Sequence, residues 1–365
     1  MGYERELQVA IEAVREATVL CRTVREEMVV NASLEKADRS PVTIADFGSQ
    51  ALVCRRLKEA FTEDPIVAEE DAETLRQSDN VEMAERLGSY VSAIEASASL
   101  KDICQWIDYG NGKVSDRYWT LDPIDGTKGF LRNDQYAVAL ALIERGEVKV
   151  GVLGCPALRM DPADTDGISG IMLAATRGAG TMISPLAGGE SRAIRVNREQ
   201  NPEGWRFVES VESGHGDHDL QSRIAKATGI DRPSLRMDSQ AKYAAVARGE
   251  AILYLRLPSP KYSDYHEKIW DHAAGSIVVE EAGGTVTDMH GNVLDFGQDF
   301  LMKGNKGVVV SNGVVHDAAI KALAEGVRET LAPARLAVKA FLFPSESGND
   351  VDAIIKELTK HNPPA

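Results

Sequence analysis

The stretch of sequence that decides the fold and the chemistry is Trp119-Thr120-Leu121-Asp122-Pro123-Ile124-Asp125-Gly126-Thr127-Lys128-Gly129-Phe130. A predicted strand over residues 117–121 runs into two aspartates that lie three positions apart. Pro123 fixes its own φ and disfavours a helical conformation at Asp122, so the two carboxylates can converge on one point. Gly126 and Thr127 then begin a predicted helix, whose free N–H groups and positive dipole end suit a phosphate. Because magnesium is usually held by a few carboxylates and by phosphate oxygens, this stretch predicts a joint site for metal and phosphate.

Three further carboxylates lie at the ends of predicted elements. Glu69 follows a short apolar strand, Asp46 begins a predicted helix over residues 46–61, and Asp271 begins another over residues 271–282. Taken singly, each has an ordinary structural interpretation as a helix cap, a helix-start charge or a surface acid. Nothing in their spacing alone brings them together.

The overall charge narrows the classes of partner. The chain has 365 residues and a formal net charge of −15, which makes duplex nucleic acid and anionic membranes poor partners. No apolar run approaches the roughly 20 residues that a membrane-spanning helix needs. A polyanionic substrate would require cations at the site, supplied by metal ions or by a local basic cluster. We expect a small-molecule substrate and a monomeric protein.

The N-terminus and the cysteines bear on the compartment. Acidic residues occur early and no apolar core follows them, which is unlike a signal or transit peptide. We therefore predict a cytoplasmic protein, or a plastid or mitochondrial one if a transit peptide has been removed. The four cysteines are scattered without a CxxC pair, which is typical of a reducing compartment. They are interpreted as packed thiols, with a redox pair as the alternative.

The pattern of elements predicts a layered α/β protein. A helix is predicted over residues 5–30, and the second half of the chain alternates strands with helices. Residues 71–105 are predicted to form a polar flap or helical hairpin outside the core. A polar loop at residues 161–170 suggests a boundary between two lobes. The predicted organisation is therefore a lobe of residues 1–160 with most metal ligands, a lobe of residues 171–325 and an extension of residues 326–365.

Several alternative chemistries lack their motifs. No cysteine is followed by an arginine six positions later, as a cysteine phosphatase loop requires. The sequence also contains no GxxxxGK[ST] loop and no HExxH helix. Metal-activated water is the chemistry that remains for a cluster of carboxylates.

Two ordered motifs resemble the paired signatures of the inositol monophosphatase superfamily: Asp122-Pro123-Ile124-Asp125-Gly126-Thr127 and Trp270-Asp271-His272-Ala273-Ala274-Gly275. Residues 36–43, 238–243 and 254–258 resemble one branch, the 3'(2'),5'-bisphosphate nucleotidases of plants and fungi. The similarity runs from about residue 3 to about residue 325. It implies the α/β/α/β/α sugar-phosphatase sandwich in two fused lobes. It also implies magnesium-dependent, lithium-sensitive hydrolysis of adenosine 3',5'-bisphosphate to AMP and phosphate, with 3'-phosphoadenosine 5'-phosphosulfate as a further candidate substrate.

The resemblance also implies roles for individual residues. Two to three Mg²⁺ ions would be held by the side chains of Glu69, Asp122, Asp125 and Asp271 and by the carbonyl of Ile124. Asp46 and Thr127 match the pair that positions and deprotonates the attacking water. The substrate would be held by Gly126, Thr127, His215, Ser239, Lys242, Arg256 and Asp271. His218, in the same loop as His215, is the alternative contact.

Two other functions stay open at this point. The metal motifs are equally compatible with an inositol polyphosphate 1-phosphatase or inositol monophosphatase. A non-catalytic protein that binds the bisphosphonucleotide as a sensor is the second alternative, and a missing metal ligand would be its signature. The four carboxylates and Thr127 are all present, which favours an enzyme.

Overall fold

The computed structural model describes residues 2–31, 40–164, 166–211, 218–258 and 265–326. Its larger sheet has seven strands in chain order, in which only the first pair is parallel. These strands are β1 (Ile66–Ala68), β2 (Arg117–Asp125), β3 (Ala137–Glu144), β4 (Glu147–Arg159), β5 (Ser169–Thr176), β6 (Gly180–Pro185) and β7 (Arg192–Ile194). The smaller sheet has five strands: β8 (Phe207–Glu209), β9 (Leu235–Arg236), β10 (Leu253–Arg256), β11 (Thr285–Thr287) and β12 (Val308–Ser311). Its spatial order is β11-β12-β10-β8-β9.

Helices cover and separate the sheets. They are α1 (Glu4–Asn31), α2 (Ser40–Ala60), α3 (Val81–Ser92), α4 (Leu100–Asp108), α5 (Thr127–Leu131), α6 (His218–Ala227), α7 (Ala241–Ala247) and α8 (Ala273–Glu281), and residues 316–326 are also helical. The paired helices α1 and α2 lie on the larger sheet, and α7 and α8 contact both sheets. The predicted layered α/β fold is therefore confirmed. Among the described residues, no helix combines the length and the apolar composition that crossing a bilayer requires.

The strand β3 shows how the sequence separates the two faces of the larger sheet. Successive side chains of a strand point to opposite faces. Three larger residues of β3 pack in the cluster that contains α1 and α2, while three alanines and Ile143 pack in the cluster that contains α8. The first set is Val138, Leu140 and Leu142, and the alanines are Ala137, Ala139 and Ala141. Small residues on that face let α8 approach the sheet closely.

Gly151, on the neighbouring strand β4, provides a test of this close approach. A Cβ added at Gly151 would lie 2.3 Å from Cγ2 of Ile277 and 2.9 Å from the carbonyl oxygen of Ala274. We expect Gly151→Ala to lower the free energy of unfolding in urea by about 1–3 kcal/mol, because α8 must shift. The control is Gly88→Ala in α3, where an added Cβ meets nothing within 4 Å. It should be neutral or stabilising by up to about 1 kcal/mol, and equal effects of the two substitutions would contradict the packing argument.

A tight hairpin joins β3 and β4. Arg145 and Gly146 form its two-residue connection and have φ values of 52° and 75°. Positive φ at both central residues is characteristic of a type I′ turn, whose twist matches the right-handed twist of the two strands. The glycine adopts this conformation without a steric penalty.

The prediction that residues 71–105 lie outside the core was wrong. They contain the predicted helical pair, α3 and α4, but both helices pack against α2. Leu87 and Val91 of α3, and Ile103 and Ile107 of α4, are fully buried. The polar composition of the segment hid two narrow apolar faces, each marked by residues four positions apart.

The polar loop at residues 161–170 connects two neighbouring strands. β4 and β5 lie on either side of it and are hydrogen-bonded to each other, so the larger sheet continues through the predicted lobe boundary. Met1–Ile320 forms one compact unit. The polar composition of residues 161–170 reflects a solvent-exposed connection between two strands. The position of the boundary between the two lobes stays a prediction. The predicted extension lies outside the described residues from residue 327 onward.

The cysteines are packed thiols. Cys21, Cys54, Cys104 and Cys155 are all free and buried. Burial raises the pKa of Cys155 to about 12, which keeps its thiol protonated and unreactive at neutral pH.

Candidate active site

The two aspartates of the decisive stretch converge because β2 contains a bulge. In a regular strand, residues three positions apart point to opposite faces. Here Asp122 pairs with Ala139 and Asp125 pairs with Ala137, so three steps on β2 match two steps on β3. The extra residue turns the second carboxylate to the side of the first. The charge of Asp125 then acts on Asp122, whose pKa is raised first by burial and then by Glu69 and Asp125.

A cleft of about 310 Å³ opens at this bulge. Ten of the twelve predicted site residues line it: Glu69, Asp122, Ile124, Asp125, Gly126, Thr127, Ser239, Lys242, Arg256 and Asp271. Of the other two, Asp46 is buried in α2, and His215 lies outside the described residues. His218, the alternative to His215, begins α6.

Nearby cations compensate the carboxylates of the cleft only in part. Burial, followed by the charges of Glu69 and Asp125, raises the pKa of Asp122 well above its usual range. Burial and the charge of Asp271 likewise raise the pKa of Asp125 to about 6, although Lys242 and Arg256 oppose the shift. Oδ1 of Asp122 is buried and has no hydrogen-bond partner. An unpaired carboxylate oxygen among like charges is stable as an anion only beside a cation, so these residues fit a hard divalent ion.

Glu69 makes the stability of the metal-free protein depend on pH. Burial and the charge of Asp271 raise the pKa of Glu69 to about 7 from 4.5, against the opposing charge of Lys268. The native state therefore favours the protonated acid, and this contribution to stability is complete below pH 4.5 and lost as the pH rises through 7.

Glu69→Gln removes that titration. In EDTA, the melting temperature of the variant minus that of the wild type should increase between pH 5 and pH 8, by about 2–4 °C. Circular dichroism at four pH values measures it, with Glu82→Gln on an exposed part of α3 as the control. A difference that stays constant with pH would contradict the raised pKa. Saturating magnesium should remove the advantage of the variant, because a bound ion stabilises the native state.

Asp46 faces the same carboxylates from α2. Its side chain is buried, and burial followed by the charges of Glu70 and Glu69 raises its pKa well above the usual range. The helix α5, which begins at Thr127, packs against α2. The arrangement brings a strongly basic carboxylate to the side of the cleft where Thr127 lies, and the pairing of the two side chains stays a prediction.

Buried hydrogen bonds hold the backbone of the site in place. The hydroxyl of Ser49 donates to the carbonyl of Pro123 at 2.9 Å, and the hydroxyl of Thr120 donates to the carbonyl of Val67 at 2.9 Å. These bonds fix the bulge to α2 and to β1. The sequence does not indicate these roles of Ser49 and Thr120, because a buried hydroxyl can be identified only once its hydrogen-bond partner is known.

The cationic side of the cleft comes from α7 and β10. Lys242 lies in α7 and is buried, and burial lowers its pKa to about 8. Its Nζ lies 5.2 Å from the centroid of the Tyr254 ring, which favours the cation. Arg256 is the last residue of β10. These are the local cations that a chain with a net charge of −15 needs near an anionic substrate.

Ser239 joins the two sides of the cleft. It has a φ of 64° and lies two residues before the start of α7. A Cβ at Gly126, whose own φ is 90°, would lie 2.8 Å from Cβ of Ser239. The next residue, Gln240, donates its N–H to Oδ2 of Asp125 at 2.6 Å. The close contact between Gly126 and Ser239, together with the positive φ of Gly126, therefore requires glycine at position 126.

The sequence analysis missed several residues of the cleft and the carboxylate that pairs with Arg256 behind it. Lys268 lies 3.6 Å from Oε1 of Glu69, and Tyr265 accepts a hydrogen bond from Arg256 at 3.3 Å. Both line the cleft, and Glu267, between them in sequence, pairs with Arg256. For Tyr265 and Lys268, the position shortly before Asp271 was the available signal.

A model of the inositol monophosphatase family matches residues 3–329 of the chain. The chain belongs to the inositol monophosphatase family. This confirms the resemblance that the two motifs carry.

Relatives of this family member include proteins of fungi and plants named 3'(2'),5'-bisphosphate nucleotidase. The one from Emericella nidulans is 42% identical over 355 residues, covering 88% of this chain and 98% of the relative. The one from Oryza sativa is 42% identical over 345 residues, covering 90% of this chain and 96% of the relative.

Solved structures of the family show the same fold. The IMPase of Thermotoga maritima superposes with a TM-score of 0.59 at 23% identity, covering 89% of this chain and 99% of that one. An inositol monophosphatase from Anabaena gives a TM-score of 0.55 at 21% identity, covering 88% and 96%. At these identities the likeness concerns the fold.

Proposed function

We propose that this family member hydrolyses the 3'(2')-phosphate of adenosine 3',5'-bisphosphate to give AMP and phosphate, with Mg²⁺ as cofactor. The observation that carries the proposal is the single cleft in which four carboxylates face Lys242 and Arg256. One side suits metal ions and the other suits a second anionic group of the substrate. The names of relatives 42% identical over most of the chain support the same substrate.

The carboxylates of Glu69, Asp122, Asp125 and Asp271, with the carbonyl of Ile124, would hold two to three magnesium ions. Bound there, magnesium would lower the pKa of a water molecule and neutralise charge on the phosphoryl group. The fit rests on the unpaired Oδ1 of Asp122 and on the raised pKa values of its neighbours.

The residues of the chain then have separate tasks. Thr127 would take a proton from the attacking water and pass its own proton to Asp46, whose buried carboxylate is more basic than an ordinary aspartate. The N–H groups at the start of α5 would bind the phosphate that is transferred. Ser239, Lys242 and Arg256 would bind the phosphate that stays on the nucleotide, and His215, or His218 in its place, would complete the nucleotide contacts.

Phosphate release tests the proposal. The substrates are adenosine 3',5'-bisphosphate, its 5'-phosphosulfate analogue and inositol 1,4-bisphosphate, each measured with magnesium, with EDTA and with millimolar lithium. We expect rapid release from the nucleotides that requires magnesium and is inhibited by lithium. Turnover of the inositol substrate alone would leave the metal site in place and refute the nucleotide assignment. Nucleotide binding without turnover of any substrate would favour the non-catalytic sensor.

A further inference from the structure

Glu267 is a buried carboxylate that pairs with Arg256 beneath the cleft. Its side chain is 9% exposed. Its Oε2 accepts from Nε of Arg256 at 2.6 Å and from Nε2 of His272 at 3.1 Å. Burial alone would raise the pKa of Glu267, but Arg256 and His272 overcome it and lower the pKa to about 2. The residue is therefore a permanent anion.

Two further buried side chains fix the orientation of this anion. His272 is fully buried, and its Nδ1 lies 2.7 Å from the hydroxyl of Tyr243. Because Nε2 faces a carboxylate, that nitrogen carries the hydrogen, and Nδ1 accepts from the tyrosine. The hydrogen bonds run from Tyr243 through His272 to Glu267. Glu267 also accepts a hydrogen bond from Nε of Arg256. Both ring nitrogens of His272 thus have a partner, as a rigid buried network requires.

The network holds Arg256 at Nε, while its outer nitrogens lie toward the cleft. Glu267 occupies Nε, at the inner edge of the guanidinium. Nη2 lies 3.3 Å from the hydroxyl of Tyr265 and 3.6 Å from Oδ2 of Asp271, and all three residues line the cleft. A guanidinium held along one edge presents its other nitrogens in a fixed plane, which is the geometry that binds a phosphate with two hydrogen bonds.

A metal ion is the competing explanation for this cluster. Glu267, Asp271 and His272 each have one ligand atom within 4.8 Å of the others. However, Oε2 of Glu267 already receives two donors, and Nδ1 of His272 is engaged by Tyr243. An adjacent guanidinium also repels a cation. The contacts favour an organised ion pair.

We propose that Glu267 is a positioning residue that holds Arg256 in the plane in which it binds the nucleotide phosphate, with His272 and Tyr243 as its support. This inference rests on the proposed function. It gives the segment that leads to Asp271 a task of its own, the orientation of Arg256.

A double-mutant cycle tests the proposal. The variants are Glu267→Gln, Arg256→Ala and the combination of both, with Glu267→Asp as the conservative variant. The readouts are the KM for adenosine 3',5'-bisphosphate, kcat, and AMP binding by calorimetry. We expect Glu267→Gln to raise KM and weaken AMP binding about tenfold while kcat stays within about twofold. Glu267→Asp should lie between the wild type and Glu267→Gln. In the Arg256→Ala background, Glu267→Gln should have no further effect on binding.

A matched control separates positioning from general loss of stability. Asp64→Asn removes another carboxylate that accepts from an arginine Nε, that of Arg117 at 2.9 Å, and Asp64 does not line the cleft. It should leave KM and AMP binding unchanged. If Glu267→Gln does not fold, Tyr243→Phe removes the far end of the network and should raise KM about twofold to threefold.

The outcomes distinguish the inference from the function on which it rests. Unchanged AMP binding in Glu267→Gln, or in Tyr243→Phe if that variant is used, would overturn the positioning role while the wild-type activity still stands. Effects of Glu267→Gln and Arg256→Ala that multiply would overturn it as well, because they would be independent. A wild-type protein that neither binds AMP nor hydrolyses the nucleotide would overturn the proposed function and the inference together.

Discussion

Replacing Asp122 with asparagine should lower kcat/KM for adenosine 3',5'-bisphosphate by about a thousandfold, and it should stabilise the metal-free protein. The first effect follows because the amide loses one anionic oxygen at the centre of the carboxylate cluster. Metal ions contribute several kcal/mol of transition-state stabilisation, and about 4 kcal/mol corresponds to a factor of a thousand in rate.

The effect on stability is favourable, because the ionised carboxylate destabilises the native state when no metal is bound. Asp122 is buried, and Oδ1 has no hydrogen-bond partner. Its pKa is raised by burial and by Glu69 and Asp125, so ionising it in the native state costs free energy. Removing this charge should increase the free energy of unfolding in EDTA by about 1–3 kcal/mol.

Two measurements on the same variant check these effects. Phosphate release at a series of magnesium concentrations gives the rate and the apparent metal affinity, and urea unfolding in EDTA gives the stability. A variant that keeps its activity within about tenfold and its magnesium dependence unchanged would remove Asp122 from the ligand set. A variant that loses both activity and stability would indicate a purely structural role.

The sequence predicts which residues form this site better than it predicts how they come together in space. Asp122-Pro123-Ile124-Asp125 is recognisable because the strand, the proline and the two acids are local features. The convergence of the two acids depends on a bulge whose register is set by β3, which is fixed only when the sheet forms. Glu69 and Asp271 join them because β1 pairs with β2 and α8 packs under the sheet.

The network behind Arg256 shows the same limit. Arg256 was predicted from a motif, but Glu267 carried no signal of its own, because a glutamate in a polar segment is usually a surface residue. Its burial and its pairing with Arg256 appear only when β10 and the segment before α8 are placed together. The core faces of α3 and α4 were missed for a related reason, since the polar composition of the whole segment outweighed three buried apolar residues in each helix.

Asp46→Asn should lower kcat by about a thousandfold while AMP binding stays within about twofold of the wild type. General-base catalysis by a positioned side chain contributes about 10²–10⁴ to rates. The asparagine is the same size and fits the same buried position in α2, but it cannot accept a proton. Asp46 does not line the cleft, so the substrate contacts should persist.

Thr127 supplies the controls for this prediction. If Asp46 acts through the threonine hydroxyl, Thr127→Ala should lower kcat about as much as Asp46→Asn, and the double variant should be no slower than either. Thr127→Ser keeps the hydroxyl and should retain most of the rate. Loss of AMP binding in parallel with loss of rate would contradict a role in proton transfer. Multiplying effects in the double variant would show instead that the two residues act separately, and the water would then need a different base.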